Sequence, residues 1–308
     1  MTYDYDIIVL GGGPAGLSAG LYAARARRKT LLLERGVTGG QIALTSAVEN
    51  YPGIMSVNGF DLAQEMQRQA EASGLESAYG EALAVGPEGR GFAVRTQDGA
   101  YRAKALILAM GADYNRLRVP GEERLTGRGV SYCATCDAPF FKDRDVAVVG
   151  GGDSALDEGL YVARYAAKVH VIHRRDQLRA SRVLQERAFA NPKMTFTWNT
   201  VVTEVEGDEQ VEALRLRDVV TGEESKVPVA AVFVFIGHTP NSRLVQGLVD
   251  LDESGHVAVD LWMRTSRPGV FAAGDLRAES SRQVVSAAGD GATAAIAADR
   301  YISETFGA

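Results

Sequence analysis

The feature that most constrains this 308-residue chain is a pattern of strand, glycine turn, helix and strand that occurs twice. In each copy an apolar run leads into a glycine-rich turn, at residues 6–16 and again at 145–155. A helical stretch and a second apolar run follow, ending at 30–34 and at 169–173. This order is the βαβ fingerprint of a dinucleotide-binding domain. One copy would be weak evidence, but two copies in the same context predict two nucleotide sites.

The small residues of each turn have distinct physical roles. The first permits the tight turn, the second lets the backbone approach a pyrophosphate, and the third lets helix and strand pack closely. The helix that follows offers free N–H groups and a positive dipole end to the phosphates. The residues expected at these turns and helix starts are Gly11, Gly13, Pro14, Ala15 and Gly16 in the first copy and Gly150, Gly152, Asp153, Ser154 and Ala155 in the second.

The end of the second strand in each copy predicts which cofactor is bound. Glu34 lies 23 positions after the first glycine of its turn, and His173 holds the same place in the second copy. A carboxylate there accepts hydrogen bonds from a ribose and repels a 2′-phosphate, as FAD or NAD requires. His173 is expected to contact NADPH together with Arg174, Arg175 and Arg179, which follow it and whose guanidinium groups suit the 2′-phosphate. Because two nicotinamide sites would have little use in one chain, we expect FAD in the first domain.

The first nucleotide domain is interrupted by the second. The segment between the two motifs reads as β-rich and ends in a strand at 105–111, and a similar strand at 231–237 follows the second motif. A further strand at 270–275 precedes a last helix from about residue 286 to residue 304. We therefore expect an α/β protein with two nested Rossmann-like domains of the three-layer ββα type. The expected bounds are 1–112 with 242–308 for the FAD domain and 113–241 for the NADPH domain.

The chain has two cysteines, Cys133 and Cys136. A pair at this spacing is compatible with a redox disulfide, with half of a zinc site or with an inert buried pair. Structural zinc takes four ligands, and none of the four histidines has the spacing of a second half-site. Redox chemistry is therefore favoured and no metal is expected. Asp137 can exchange a proton with the nearby thiolate, although an ordinary turn or helix-cap role is also open.

Charge and hydropathy restrict the partners and the compartment. The net charge of −6 argues weakly against nucleic acid and against an anionic membrane surface. The longest apolar runs, such as 230–237, are far short of the roughly 20 residues that a bilayer requires. Asp4 and Asp6 stand where a signal peptide would carry positive charge. We expect a cytoplasmic protein that binds neither nucleic acid nor membrane.

Several motifs together carry a resemblance to one family. They lie at residues 11–16, 39–41, 48–53, 133–137, 150–155, 173–179, 274–275 and 282–284. On these residues the chain resembles the bacterial low-molecular-weight thioredoxin reductases over essentially its full length. Ala138 and Pro139 follow the cysteines where many members have a single glycine, and this change removes no group that the chemistry needs.

The resemblance implies an activity and a set of contacts. Electrons would pass from NADPH through FAD and the Cys133–Cys136 disulfide to thioredoxin, with Cys136 nearer the flavin and Cys133 attacking the partner. It also implies a homodimer. Further FAD contacts are expected, from the sequence or the resemblance, at Gly39, Gly40, Gln41, Asn50, Gly274, Asp275, Arg282, Gln283 and Val284.

The positions of these groups in the chain predict a movement. The cysteines and the NADPH motif belong to the inserted domain, so that domain is expected to rotate about joints near 111–116 and 237–241.

Competing functions are a flavin-dependent reductase or oxidase of another dithiol substrate, a ferredoxin-driven reductase, and an oxidant-sensing flavoprotein. The arginine cluster speaks against enzymes that do not use NADPH, and the cysteine pair against a ferredoxin–NADP reductase.

Overall fold

The computed structural model describes residues 2–45 and 48–307. The chain divides into two compact units, which we call unit 1 (Met1–Asp113 with Thr239–Ala308) and unit 2 (Tyr114–His238). Unit 2 is thus inserted into unit 1. The first joint lies one residue later, and the second three residues earlier, than the bounds expected from the sequence.

The strands are mostly short. In chain order they are β1 (Tyr5–Leu10), β2 (Thr30–Glu34), β3 (Glu76–Tyr79), β4 (Ala84–Glu88), β5 (Gly91–Thr96), β6 (Gly99–Leu108), β7 (Ala112–Tyr114), β8 (Val130–Ser131), β9 (Asp145–Val149), β10 (Lys168–Ile172), β11 (Met194–Thr197), β12 (Thr200–Glu206), β13 (Ala213–Asp218), β14 (Glu224–Pro228), β15 (Ala231–Val234), β16 (His238–Pro240) and β17 (Val270–Ala272).

The helices cover the faces of these sheets. They are α1 (Pro14–Arg25), α2 (Gly59–Ala72), α3 (Ala134–Asp137), α4 (Asp153–Val162), α5 (Arg182–Ala190) and α6 (Val284–Phe306). Single 3₁₀ turns occur at Gly40–Leu44, Ala138–Phe141, Arg243–Val245 and Gly274–Leu276. Within the described ranges, none of the helices has both the length and the apolar character needed to span a bilayer.

Unit 1 is built on a seven-stranded sheet in the order β3-β2-β1-β6-β5-β4, with β17 also paired to β6. Strand β6 pairs with two strands along different parts of its length: its second half runs parallel to β1, and its first half is antiparallel to β5. The buried run Ile7–Val9 is fully removed from solvent at the centre of this sheet. Strands β1 and β2 flank helix α1, as the first glycine motif predicted.

Helices α1 and α6 pack closely because small residues face each other. A Cβ at Gly291 of α6 would lie 2.0 Å from the carbonyl oxygen of Ala15 in α1, so only glycine allows this approach. Six alanines of α6 are buried, and α1 buries three more besides Ala15. The last helix is two residues longer at each end than the sequence indicated.

Helix α2 corrects the expectation that the segment between the motifs is β-rich. Four strands do lie there, but a 14-residue helix precedes them. Asn58 caps this helix by accepting a hydrogen bond from the Phe60 N–H at 2.9 Å. The helix is amphipathic: it buries four residues, among them Leu62 and Ala63, and its other face is polar. Packing against α1 places it.

Unit 2 has a five-stranded parallel sheet in the order β11-β10-β9-β15-β8 and an antiparallel sheet β12-β13-β14. The parallel sheet places the ends of β9 and β10 side by side, since Val149 pairs with Ile172. The second glycine turn and the residues after Ile172 therefore emerge at the same sheet edge. The predicted α/β class with two nested Rossmann-like units is confirmed.

The two chain crossings are organised by a pair of asparagines. Strands β7 and β16 pair with each other at the joints. Asn115 donates its backbone N–H to the Gly237 carbonyl (3.0 Å) and its side-chain amide to the Ile236 carbonyl (3.3 Å). Asn241 donates in the same manner to the carbonyls of residues 111 and 110, both at 3.0 Å. Beside each joint, one asparagine therefore makes two hydrogen bonds to neighbouring carbonyl groups.

Candidate active site

The first glycine turn connects β1 to α1 and is held from the side by a carboxylate. Gly11 has a φ of +103°, and a Cβ there would lie 2.4 Å from the Ala109 carbonyl oxygen. Glu34 accepts hydrogen bonds from the backbone N–H groups of Gly12 at 2.6 Å and Gly36 at 2.7 Å. The acidic residue predicted to meet a ribose therefore also fixes the backbone of the turn.

The geometry of this turn fits a dinucleotide. A Cβ at Gly13 would meet no atom within 4 Å, so the backbone is open on that side. Helix α1 begins at Pro14 with no side-chain cap, which leaves the N–H groups of its first turn directed outward. Gly39 donates its N–H to the Gly12 carbonyl at 2.8 Å and brings the segment from Gly39 to Gln41 onto the turn.

The remaining predicted flavin residues lie on two other segments of unit 1. Asp275 accepts a hydrogen bond from the Ser280 hydroxyl at 3.0 Å, and the same hydroxyl accepts the Arg282 N–H at 3.2 Å. Burial raises the pKa of the Asp275 carboxyl, and the Ser280 hydrogen bond opposes that shift. Asn50 donates to the Gln283 side chain at 3.1 Å, just before α6 begins.

Contacts join these segments to the first turn. A Cβ at Gly274 would lie 2.9 Å from the Cβ of Ala15, so the turn before Asp275 abuts the start of α1. The Gln41 side-chain amide donates to the Ala112 carbonyl at the end of the first part of unit 1. An open glycine, uncapped helix N–H groups and nearby polar side chains are together suited to a large, phosphate-containing cofactor.

The second glycine turn connects β9 to α4 and is held from below by an imidazole. Gly150 has a φ of +150°, and a Cβ there would lie 2.4 Å from the Phe235 carbonyl oxygen. His173 is only 5% exposed, and its ring lies 2.3 Å from where a Cβ of Gly151 would stand. Its Nε2 is 3.0 Å from the Gln177 carbonyl oxygen. Burial lowers the pKa of His173, which favours the neutral ring.

The arginines next to His173 have a different environment. Arg174, Arg175 and Arg179 are exposed. The backbone N–H of Arg179 donates to the Gly151 carbonyl at 2.7 Å, so the segment carrying the arginines is fixed to the glycine turn. Asp153, the first residue of α4, accepts the Ser181 N–H at 2.5 Å and fixes the far end of this segment. As at Gly13, a Cβ at Gly152 would meet no atom within 4 Å. The structure thus presents exposed cations beside an open turn, with His173 buried beneath it.

The two cysteines form a disulfide in unit 2. Cys133 immediately precedes α3, which contains Cys136, and the two Cα atoms are 5.3 Å apart. The Ser131 hydroxyl lies 3.2 Å from both the backbone nitrogen and the carbonyl oxygen of Cys133. The Thr135 hydroxyl is 3.4 Å from the Cys133 sulfur. Of the three interpretations that the sequence left open for this pair, the structure has the disulfide.

Asp137 lies beside this disulfide and is half-buried. Its backbone N–H donates to the Cys133 carbonyl at 3.2 Å. Burial raises the pKa of the Asp137 carboxyl, while a hydrogen bond with Ser131 acts in the opposite direction. A carboxyl with a raised pKa keeps its proton to a higher pH than an ordinary aspartate, so one placed next to a redox pair is suited to proton exchange.

A buried carboxylate that was not predicted from the sequence supports the strand before the cysteines. Glu122 is 3% exposed and accepts hydrogen bonds from the Tyr132 hydroxyl (2.8 Å) and from the backbone N–H groups of Leu117 (2.7 Å) and Arg118 (2.6 Å). Burial, together with Glu122, raises the pKa of Tyr132. No sequence signal distinguishes Glu122 from the neighbouring Glu123, because only the tertiary contacts bury one of the two.

Comparison with known proteins agrees with this geometry. Residues 5–291 match the family model described as pyridine nucleotide-disulphide oxidoreductase. The chain belongs to this family. It is 49% identical over 302 residues to a thioredoxin reductase of Listeria innocua, covering 97% of this chain and 94% of the relative. It is 50% identical to a thioredoxin reductase of Mycolicibacterium smegmatis, with 97% of each chain covered.

A solved structure gives the same result for the fold. The crystal structure of thioredoxin reductase from Streptococcus pyogenes matches with a TM-score of 0.93 and 44% identity, covering 97% of this chain and 98% of that one. The resemblance to thioredoxin reductases inferred from the motifs is therefore confirmed. Members of this group use FAD and NADPH, so the two predicted cofactors are confirmed as well.

Proposed function

We propose that this chain reduces the disulfide of thioredoxin, with NADPH as the electron donor. The observation that carries the proposal is the Cys133–Cys136 disulfide beside Asp137, in the same unit as a nucleotide turn flanked by exposed arginines. Unit 1 supplies a second nucleotide turn whose carboxylate, Glu34, suits a cofactor without a 2′-phosphate. The names of the relatives support thioredoxin as the substrate.

We assign FAD to unit 1 and NADPH to unit 2. Proposed FAD contacts are Gly11, Gly13, Pro14, Ala15, Gly16, Glu34, Gly39, Gly40, Gln41, Asn50, Gly274, Asp275, Arg282, Gln283 and Val284. Proposed NADPH contacts are Gly150, Gly152, Asp153, Ser154, Arg174, Arg175 and Arg179. The three arginines bind the 2′-phosphate, and the buried His173 supports the turn from beneath.

The disulfide chemistry uses residues of this chain. When bound, FAD and NADPH supply the electron pair that breaks the sulfur–sulfur bond. Opening of the bond consumes two electrons and two protons and leaves thiols at Cys133 and Cys136. Asp137, whose pKa burial raises, exchanges a proton with the adjacent thiol or thiolate.

The partner disulfide is then reduced by exchange. The Cys133 thiolate attacks one partner sulfur, which forms a mixed disulfide and expels the other partner sulfur as a thiolate that takes up a proton. The Cys136 thiolate next attacks the Cys133 sulfur. This restores the internal disulfide and releases the second partner thiol.

The placement of these groups in the chain implies a movement. The disulfide and the arginines belong to unit 2, while the proposed flavin contacts belong to unit 1. We propose that unit 2 rotates about β7 and β16 to present the disulfide and the NADPH site to the flavin in turn. A cross-link that fixes the two units should stop turnover, and unchanged turnover would reject the rotation.

We also propose a cytoplasmic homodimer. The similarity to thioredoxin reductases over nearly the whole chain supports both statements. Light scattering on the purified holoprotein should give twice the mass of one chain. A monomer at micromolar concentration would contradict the dimer.

The deciding experiment measures NADPH oxidation with oxidised thioredoxin as the acceptor. Cys136→Ser should lose protein-disulfide reduction while it retains bound flavin and the reduction of that flavin by NADPH. Thr135→Ser lies between the two cysteines and keeps its hydroxyl, so it is the matched control and should remain active. Continued thioredoxin reduction by Cys136→Ser would reject the electron path, and a colourless wild-type protein would reject the flavin assignment.

A further inference from the structure

A buried ion pair in unit 1 lies immediately behind the turn that carries Asp275. Asp290 of α6 is 8% exposed. Its Oδ2 accepts hydrogen bonds from Arg277 Nε at 2.7 Å and from the Gly274 backbone N–H at 3.2 Å. Its Oδ1 accepts a third from Arg277 Nη2 at 3.1 Å. The guanidinium and the carboxylate therefore meet in a two-bond fork, a geometry that fixes both side chains.

The same two residues close the turn around Asp275. The backbone N–H of Arg277 donates to the Gly274 carbonyl at 3.1 Å, and its Nη1 donates to the Ala278 carbonyl at 3.0 Å. Gly274 has a φ of +72°. The residues on both sides of Asp275 are thus tied to one carboxylate on α6.

The ion pair also lies where three proposed FAD-binding segments meet. Gly291, next to Asp290, touches the first turn of α1, since a Cβ there would stand 2.0 Å from the Ala15 carbonyl oxygen. Gly274 abuts Ala15 as well. Helix α6 begins at Val284, directly after the proposed contacts Arg282 and Gln283. A shift of Asp290 would displace the Asp275 turn relative to the other two segments.

Stability alone is a poor reason for such a pair. A buried ion pair often contributes no more than well-packed apolar side chains of similar volume would, because both charges lose their water. The neighbouring residues of α6 are small and apolar, so an apolar pair could be accommodated by the same helix faces. An apolar pair could not fix the position of the Gly274 backbone, because it would form no directional hydrogen bond to it.

We propose that Arg277 and Asp290 are a positioning pair that holds Asp275 in place to bind FAD. This inference rests on the proposed function in assigning FAD to unit 1. The two charges also act on Asp275 in opposite directions: Asp290 raises the pKa of its carboxyl and Arg277 lowers it, behind the larger effect of burial.

The test measures FAD binding to the apoprotein by quenching of flavin fluorescence. Asp290→Asn keeps the size of the side chain but loses the charge, and Arg277→Met loses the fork. Each should weaken FAD binding about tenfold or more, because a misplaced Asp275 would lose a hydrogen bond of a charged group to the cofactor, worth about 1.5–3 kcal/mol. Arg277→Lys should recover part of the loss, and the double variant should lose no more than the weaker-binding single variant.

A second ion pair on the same helix provides a matched control. Arg28 of unit 1 binds Asp299 of α6 at 2.6 Å, in a partly buried site away from the Asp275 turn. Asp299→Asn should lower the melting temperature of the apoprotein as Asp290→Asn does, yet leave FAD affinity unchanged.

The outcomes separate this inference from the proposed function. Equal FAD affinity in Asp290→Asn and wild type would overturn the positioning role. A loss of affinity in Asp299→Asn as large as that in Asp290→Asn would overturn it too, since general destabilisation would then explain both. If Asp290→Asn does not fold, the comparison of Arg277→Met with Arg277→Lys decides. A wild-type protein that binds no FAD would reject the proposed function instead.

Discussion

The two glycine turns have the same backbone plan but are supported in opposite ways. In unit 1 the supporting residue is Glu34, which lies beside the turn and accepts two backbone N–H groups. In unit 2 the equivalent residue is His173, a neutral ring packed beneath Gly151. The carboxylate faces where a ribose is proposed to bind, while the imidazole leaves that role to exposed arginines. The two turns thus share a backbone plan but differ in which groups face outward, and this difference supports the proposed assignment of a different cofactor to each.

The first glycine of each turn should give the largest effects. Gly11→Ala and Gly150→Ala each place a Cβ 2.4 Å from a carbonyl oxygen, at a φ that L side chains rarely adopt. We expect each change to destabilise its own unit by roughly 3 kcal/mol or more. Gly11→Ala should abolish flavin binding. Gly150→Ala should retain flavin but prevent its reduction by NADPH, as measured by visible absorption.

The open glycine of each turn, Gly13 or Gly152, provides the control for the variants of Gly11 and Gly150. A Cβ at Gly13 or Gly152 would meet no atom of the described chain within 4 Å. Gly13→Ala and Gly152→Ala should therefore leave the melting temperature of the apoprotein unchanged and weaken only the binding of the cofactor. Equal loss of stability in all four variants would show that the turn-forming and ligand-facing glycines are not distinct.

The arginines should give the next largest effect. Arg174→Ala combined with Arg175→Ala removes charge-assisted hydrogen bonds to the 2′-phosphate, each worth about 1.5–3 kcal/mol. The ratio of kcat/KM for NADPH to that for NADH should fall about a hundredfold or more. Arg187→Ala, an exposed arginine of α5 in the same unit, controls for the loss of positive charge. A ratio that stays at the wild-type value would remove the basis for the NADPH assignment.

Glu34→Gln should have a smaller effect, confined to unit 1. An amide has one oxygen where the carboxylate has two, so the N–H of either Gly12 or Gly36 loses its acceptor. We expect the change to cost about 1–3 kcal/mol of the free energy of FAD binding, which is roughly a fivefold loss of affinity at the lower end. Titration of the apoprotein with FAD measures it, and an unchanged NADPH affinity is the internal control. Tighter FAD binding by Glu34→Gln would contradict the supporting role of the carboxylate.

Substitution of His173 should give the smallest effect, a change in folding stability that is visible only at acidic pH. Burial lowers its pKa in the folded protein, so the unfolded chain takes up a proton first as the pH falls. Its contribution to stability is complete above the ordinary value of about 6.5 and is lost as the pH drops below it. His170 has a pKa lowered by burial too and adds to the same trend.

The measurement compares wild type with His173→Gln. The thermal stability of unit 2 should fall as the pH drops below about 6.5, and the variant should show less of this dependence. His170→Gln tests the share of the second imidazole. The same dependence in all three proteins would mean that His173 is not the group that titrates.

Local patterns explain how much of this protein could be predicted. The strands beside both turns, the helices that follow them and the interruption of one unit by the other were all predicted from periodicity and glycine spacing. Helix α2 was not predicted, although Leu62, Met66 and Ala70 recur at helical spacing in the sequence. Glu122 and Asp290 were missed for a different reason: a carboxylate in the sequence gives no sign that distant segments will bury it. Asp290 does stand alone among small apolar residues of α6, which is a weak signal of that kind.

The sequence by itself determined the two dinucleotide turns, the acidic and basic residues that distinguish them, and the paired cysteines. Those features depend on residues close together in the chain, where backbone sterics and strand or helix periodicity act directly. Only the tertiary structure decided that His173 lies buried beneath its turn, that Asp290 forms hydrogen bonds to the segment carrying Asp275, and that two asparagines form hydrogen bonds beside the joints. Each of these depends on which segments, tens or hundreds of residues apart, exclude water from the same place.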